Sequence, residues 1–112
     1  MMLLKDALPY LVLDLESALA HLGRGIVADQ LREVTIERWT YDELSAVAYL
    51  HLRSPRAAGA AGTPGETVSV YDELGINLDT DGQGNITGME VLDGRAIIAQ
   101  LEQAAATWPL SP

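Results

Sequence analysis

The spacing of apolar residues changes near Val34, and this change constrains the fold more than any other feature of the chain. Before Val34, apolar residues recur every three or four positions, as on one face of a helix. They are Leu8, Leu11, Val12, Leu15, Ala18, Leu19 and Leu22. After Val34, short β-rich segments alternate between apolar and polar residues, as strands with one buried face do. The change predicts a helical arm over residues 1–33 and an antiparallel sheet over residues 34–93.

The helical arm has start and stop signals of its own. Asp6 is a candidate N-cap, and Pro9 falls in the first turn, where no intrahelical N–H bond is lost. Gly23 is a natural stop for the helix. The apolar stripe of this helix needs a partner surface, which is either the sheet of the same chain or the same helix in a second copy. Four residues of the stripe are therefore interface candidates: Leu8, Leu11, Leu15 and Leu19.

The β-rich region contains the segments VTIERWT, SAVAYLHLR, TVSVY, GINLD and NITGMEVLD. Residues 53–66 are rich in Gly, Pro and Ala and have no periodic apolar face, which predicts a long mobile loop. A last apolar stripe predicts a C-terminal helix over residues 94–108. Strands with helices at both ends indicate the α+β class. We therefore predict a single domain over residues 1–112, with a four-stranded antiparallel sheet, an N-terminal helical arm and a C-terminal helix.

Charge and size limit the partners that such a chain can have. The net charge is −9, and from Ala57 onward eight acidic residues face a single base, Arg95. This half repels phosphate backbones, so nucleic-acid binding is not expected, whereas a basic protein or a cation is favoured. A chain of 112 residues buries a modest share of its surface. A homodimer would increase that share.

The opening segment MMLLKDALPYLVLDL is apolar, but Asp6 and Asp14 interrupt it. The uncharged run between them is far shorter than the ~20 residues that a membrane span requires. The segment also lacks a basic leader followed by a small-residue cleavage site. The sequence therefore predicts a cytoplasmic protein without a membrane partner.

The segment DTDGQGNITGME, residues 79–90, has the ligand spacing of a calcium loop. Asp79, Asp81 and Glu90 take its first, third and twelfth positions, and Gly84 takes the sixth, where such loops turn sharply. Under this alternative interpretation the chain is an acidic module that binds a divalent cation through the 79–90 loop.

The flanks of this segment favour a hairpin instead. A calcium loop of this kind requires a helix on either side, but the preceding YDELGINL alternates at the period of a strand. Asp81-Gly82 and Gly84 suit the positive-φ positions of a tight turn. Gly88, in the middle of the following strand, predicts a bulge or a close backbone approach. The favoured interpretation therefore assigns no metal ligand to the chain.

Few residues suggest catalysis. His21 and His51 are the only histidines, and the chain has no Cys, no nucleophile elbow and no HExxH pair. We therefore predict no catalytic residue and no cofactor. Trp39, Tyr41 and Tyr49 are predicted to gather near one end of the sheet, either as core or as an interface, where such aromatic residues are enriched.

Two segments, YDELSAVAYLHLR and TVSVYDELGINLDTDGQGNITGMEVLDGR, carry a resemblance to a known family. Over residues 34–94 the chain resembles the small prokaryotic proteins grouped as domain of unknown function 2283, and the closing GMEVLD is the most specific shared feature. The N-terminal arm lies outside the resemblance, and the 53–66 loop is longer than the usual connection. The resemblance implies a β-turn at the acidic segment and no established enzymatic activity. It also implies, through some members, an antitoxin-like partnership with a small basic protein.

The sequence as a whole predicts a non-enzymatic protein–protein association module. Its first predicted partner is a second copy of itself, and its second is a small basic protein, as for an antitoxin. The interface candidates are Leu8, Leu11, Leu15, Leu19, Trp39, Tyr41 and Tyr49.

Overall fold

A computed structural model of the protein describes residues 2–55, 65–71 and 75–107, except for the side chain of Tyr71. The described residues form six strands and four helices. In chain order these are β1 (Met2–Leu3), α1 (Leu4–Ala7), α2 (Pro9–His21), α3 (Gly25–Gln30), β2 (Thr35–Asp42), β3 (Val47–Arg53), β4 (Thr67–Tyr71), β5 (Ile76–Thr80), β6 (Ile86–Val91) and α4 (Arg95–Ala106).

The strands form one sheet in the order β1-β2-β3-β6-β5-β4, and all neighbours are antiparallel. The predicted α+β class with an antiparallel sheet is confirmed, but the predicted number of four strands is wrong. Each of the five β-rich segments forms a strand of its own, which is already one strand more than predicted. The sixth is β1, whose Met2 and Leu3 pair with Ile36 and Thr35. A two-residue strand is too short for its sequence period to reveal it.

Helices and sheet share one apolar core. On β3, Ala48, Leu50 and Leu52 are buried, whereas the residues between them are half-buried. This alternation is what a strand with one covered face requires. The core that these residues join also includes buried leucines from α2 and α4, among them Leu15 and Leu101.

The apolar stripe of α2 therefore packs on the sheet of its own chain. Leu8, Leu15 and Leu19 have no exposed surface, and Leu11 packs against the same core while half-buried. The physical reason is that the apolar face of the sheet needs a cover, and this stripe supplies it. These four interface candidates are thus core residues, and only the partly exposed Leu11 has surface left for a partner.

The ends of the helices agree only in part with the start and stop residues predicted from the sequence. Pro9 is the first residue of α2 and Gly23, with φ +75°, follows its end, as predicted. Asp6 is not the N-cap of α2, because it lies inside the short α1, and no side chain caps α2. The predicted C-terminal helix runs from Arg95 to Ala106. No helix within the described part of the chain is long and apolar enough to cross a membrane.

The predicted 53–66 loop lies mostly outside the described residues. At its start, Arg53 still belongs to β3. At its end, Gly65 packs tightly on β5, since a Cβ at this position would overlap the carbonyl group of Thr80. The N–H of Thr80 donates to the carbonyl oxygen of Glu66 at 2.9 Å. This bond extends the β4–β5 pairing by one residue before β4 begins.

Candidate functional site on the open face of the sheet

The face of the sheet opposite the core carries mostly polar side chains. They alternate with the core residues along the strands, so they point away from the helices. All of them are half-buried or exposed, apart from one buried glycine. We call this surface the open face, defined by Arg38, Thr40, Tyr49, His51, Thr67, Ser69, Asn77, Asp79, Gly88 and Glu90.

At the centre of the open face, Tyr49 connects two strands that are not neighbours. Its hydroxyl group donates to Oδ2 of Asp79 at 2.5 Å. Oδ1 of Asp79 accepts from the hydroxyl group of Thr67 at 2.8 Å. Because Tyr49 lies on β3 and Asp79 on β5, the tyrosine ring crosses β6, which separates them. We call Tyr49, Asp79, Thr67 and the crossed residue Gly88 the Tyr49 bridge.

Gly88 is the residue that makes this crossing possible. It pairs with Asp79 on one side and with His51 on the other. A Cβ at this position would overlap the hydroxyl end of the Tyr49 ring. The register between β5 and β6 also shifts here, between Asp79 and Thr80. The bulge expected at Gly88 is therefore confirmed, whereas the group that approaches Gly88 closely is the side chain of Tyr49 and not another backbone segment.

The surroundings of Tyr49 keep its hydroxyl group protonated. Burial, the hydrogen bond to Asp79 and the negative charges of Asp79 and Glu90 all raise the pKa of Tyr49 above its usual value. The ring of His51 lies edge-on to the ring of Tyr49, with 4.8 Å between their centres. Beside them, Oε1 of Glu90 accepts from the side-chain amide of Asn77 at 3.0 Å. Tyr49 thus acts as a hydrogen-bond donor and not as a base.

The acidic segment forms the predicted hairpin between β5 and β6, and Gly84 in its turn has the expected positive φ, +82°. Asp81 and Gly82, also predicted to take positive-φ positions, do not. Oδ1 of Asp81 accepts from the backbone N–H groups of Gln83 and Asn85 at 2.8 and 2.9 Å. These hydrogen bonds, led by that from Asn85, lower the pKa of Asp81. The carboxylate of Asp81 is therefore used to shape the turn.

The three carboxylates of the alternative calcium interpretation each have a different partner. Asp79 is held by Tyr49, Asp81 by the turn, and Glu90 by Asn77. Among the described residues, no group of three or more His, Cys, Asp or Glu side chains is placed to hold a metal ion. His21, at the end of α2, and His51, on the open face, belong to separate regions.

The three aromatic interface candidates do not gather into one patch. Trp39 and Tyr41 lie opposite Leu50 and Ala48 in the sheet register, and both pack against the core. Tyr49 lies opposite Thr40 and faces the other way. The reason is that successive side chains of a strand point to opposite faces of the sheet. Tyr49 lies between the core residues Ala48 and Leu50, so it points to the open face. Trp39 and Tyr41, by contrast, lie on the core side of β2.

Gln30 is a structural residue that the sequence analysis missed. It is 4% exposed, and its side chain donates to the carbonyl oxygen of Gly84 at 2.7 Å and accepts from the N–H of Ile86 at 2.9 Å. Gln30 thereby fastens α3 to the β5–β6 hairpin. Its neighbours Val27 and Ala28 are also buried, so a polar residue on the inward side of a short helix was the available signal.

The outer edge of β4 is the second surface of interest. β4 is the last strand of the sheet, so no described segment pairs with its outer side. The hydrogen bond from Thr80 to Glu66 fixes which backbone groups point outward, because hydrogen-bonded and non-hydrogen-bonded pairs alternate in an antiparallel ladder. Val68 bonds inward to β5. Thr67 and Ser69 therefore direct their N–H and C=O groups to the free edge.

Comparisons with known proteins give no information on the open face or on the outer edge of β4. No family model, no curated protein and no solved structure matches the chain. The resemblance to domain of unknown function 2283 therefore stays a prediction.

Proposed function

We propose that the chain is a non-enzymatic protein–protein association module whose first partner is a second copy of itself. The observation that carries this proposal is the outer edge of β4, with which no segment in the described part of the chain pairs. An unpaired edge presents a row of N–H and C=O groups to which another strand adds readily. Natural sheets protect such edges with charged residues, proline or very short strands. β4 has the sequence TVSVY, which contains no charge and no proline.

The opposite edge of the sheet supports this interpretation by contrast. β1 is only two residues long, and the chain turns into α1 directly after it. β1 pairs only with Thr35 and Ile36. The remaining outer side of β2 carries the charged residues Glu37, Arg38 and Asp42, which protect an edge against an added strand. The bulge of β4 lies between Ser69 and Tyr71, which leaves the stretch from Thr67 to Ser69 regular.

A small basic protein is the second partner in the proposal, in the manner of an antitoxin. The net charge of −9 supports this partner, because opposite charge speeds association and favours a basic surface over an acidic one. Asp79 and Glu90 place carboxylates on the open face itself. Such binding is expected to weaken as salt concentration rises, since screening acts on exposed charges.

The test of self-association is the solution mass by light scattering across a broad dilution series, with and without calcium. We expect a mass near twice 12.0 kDa at high protein concentration, falling towards 12.0 kDa on dilution and indifferent to calcium. A mass of 12.0 kDa at every concentration would overturn the proposal. If the melting temperature of that monomer also rose with calcium, the alternative cation-binding function would replace it, because a ligand stabilises the folded state that binds it.

A further inference from the structure

We infer that the second copy pairs through the same strand, with the two β4 strands antiparallel about a two-fold axis at Val68, so that two six-stranded sheets become one. This inference rests on the proposed self-association and names the surface and the register through which it occurs. A two-fold axis makes the contact self-complementary, as in most homodimers. The β4 edge of one copy then pairs with the β4 edge of the other copy.

The backbone geometry selects this register. Thr67 and Ser69 are the outward-bonding residues in the regular part of β4, before the bulge that follows Ser69. An axis at Val68 places Thr67 of one copy opposite the partner's Ser69, and the reverse. Each of these two pairs exchanges both of its backbone hydrogen bonds. An axis at Ser69 would instead pair Thr67 with the partner's Tyr71, which lies at the bulge.

The side chains suit the same arrangement. Val68 meets the partner's Val68 on the core side, in a non-hydrogen-bonded pair, where side chains lie close together. Thr67 and Ser69 are exposed in the single copy and meet on the open face. No charged side chain of β4 enters the contact. This matters because each copy carries a net charge of −9, and like charges directly opposite would destabilise the pairing.

Cysteine cross-linking tests the register, since the chain has no cysteine of its own. In a non-hydrogen-bonded pair the two Cα atoms lie about 4.5 Å apart, which is within the range that a disulfide bond spans. We therefore expect Val68→Cys to form a disulfide-linked dimer under mild oxidation. Val70→Cys is the matched control, because it is equally buried on the same side of the same strand. In this register the two residues at position 70 lie about four residue rises apart, or roughly 14 Å, and do not cross-link.

A proline substitution tests the hydrogen bonds independently. Ser69→Pro removes an outward N–H but no bond to β5, a position that an edge strand tolerates. In the dimer it removes two of the four intermolecular bonds, so we expect dimerisation to weaken by about ten-fold or more. Ser69→Thr keeps the N–H and is expected to dimerise as the original chain does. Circular dichroism at a concentration where the chain is monomeric checks that each variant folds.

The outcomes separate this inference from the proposed function. A dimer that cross-links through Val70→Cys, or that does not cross-link through Val68→Cys, would overturn the register while leaving self-association standing. A dimer of unchanged affinity in folded Ser69→Pro would remove β4 from the interface. A chain that is monomeric at every concentration would overturn both, and the β4 edge would then be free for a strand of another protein.

Discussion

The two faces of the sheet are built from the same strands but are stabilised in different ways. On β3, Leu50 is fully buried against the helices, while its neighbours Tyr49 and His51 are half-buried on the open face. The core face gains its stability from apolar area removed from water, spread over many residues. The open face depends on a few directed hydrogen bonds and on the absence of a single Cβ at Gly88. Apolar burial on the core face is therefore the stronger contribution and is spread over many residues, whereas the hydrogen bonds of the open face contribute less and depend on a few residues.

The largest expected effect on stability comes from a substitution in the core face. Leu50→Ala removes a fully buried side chain and leaves a cavity, so we expect the free energy of unfolding to fall by about 2–5 kcal/mol. Chemical denaturation measures this change directly. His51→Ala is the matched control on the neighbouring residue of the open face, and it is expected to cost only about 1 kcal/mol, because it removes a half-buried ring and its edge-on contact with Tyr49. Equal losses from both variants would contradict the assignment of the two faces.

Gly88→Ala is expected to have the next largest effect. The new Cβ overlaps the Tyr49 ring, and the ring or β6 must shift, which costs about 1–3 kcal/mol of folding free energy. The double variant Tyr49→Ala/Gly88→Ala isolates the cause. With the ring absent, the alanine at position 88 is expected to be neutral or slightly stabilising, because alanine restricts the unfolded chain more than glycine does. An undiminished cost in that background would show that the Tyr49 ring is not what requires Gly88.

The core face was largely predictable from the sequence, because alternation along a strand is a local signal. The apolar positions of TVSVY and GINLD, and the hairpin at Asp81-Gly82, follow from residues next to one another in the chain. β1 was missed for the opposite reason: Met2 and Leu3 form a strand only because Ile36 and Thr35 lie beside them. The fate of the α2 stripe was left open, since its apolar period does not say which surface covers it.

The Tyr49 bridge was not predictable in the same way. Tyr49 and Asp79 are 30 positions apart and meet across a third strand, so their contact depends on the strand order β3-β6-β5. Alternation places a residue on a face but does not order the strands. Gly88 was the available signal, because a glycine within a strand suggested a close approach. The sequence did not show that Tyr49 was the group approaching.

Tyr49→Phe is expected to have a moderate effect that sharpens the same comparison. It keeps the ring over Gly88 and removes only the hydroxyl group that donates to Asp79. Asp79 keeps its bond from Thr67, and the site is partly open to water, so we expect a loss of about 1 kcal/mol in the free energy of unfolding. A double-mutant cycle with Asp79→Asn measures the coupling between the two side chains. Additive losses would show that the hydrogen bond contributes nothing to stability.

The smallest expected effect is a change in acid stability at the hairpin turn. Backbone N–H groups of Asn85 and Gln83 hold the ionised form of Asp81 and lower its pKa below the ordinary value of 3.8. Because the folded pKa is the lower one, the unfolded chain takes up this proton first as the pH falls. The stabilisation from Asp81 is therefore fully present above about pH 4 and is lost as the pH falls through the lowered folded pKa.

Asp81→Asn tests this assignment, because it keeps a side-chain carbonyl oxygen for the turn but removes the titrating charge. We expect its stability to lie below that of the original chain at neutral pH, and the difference to shrink as the pH falls below about 4. Denaturation at several pH values between neutral and strongly acidic measures both. The bonds of Asp81 stay within the turn, so this loss is expected to be smaller than that of Tyr49→Phe, whose hydroxyl group connects β3 to β5. A stability difference that does not vary with pH would mean that Asp81 shapes the turn by its geometry alone, with no contribution from its charge.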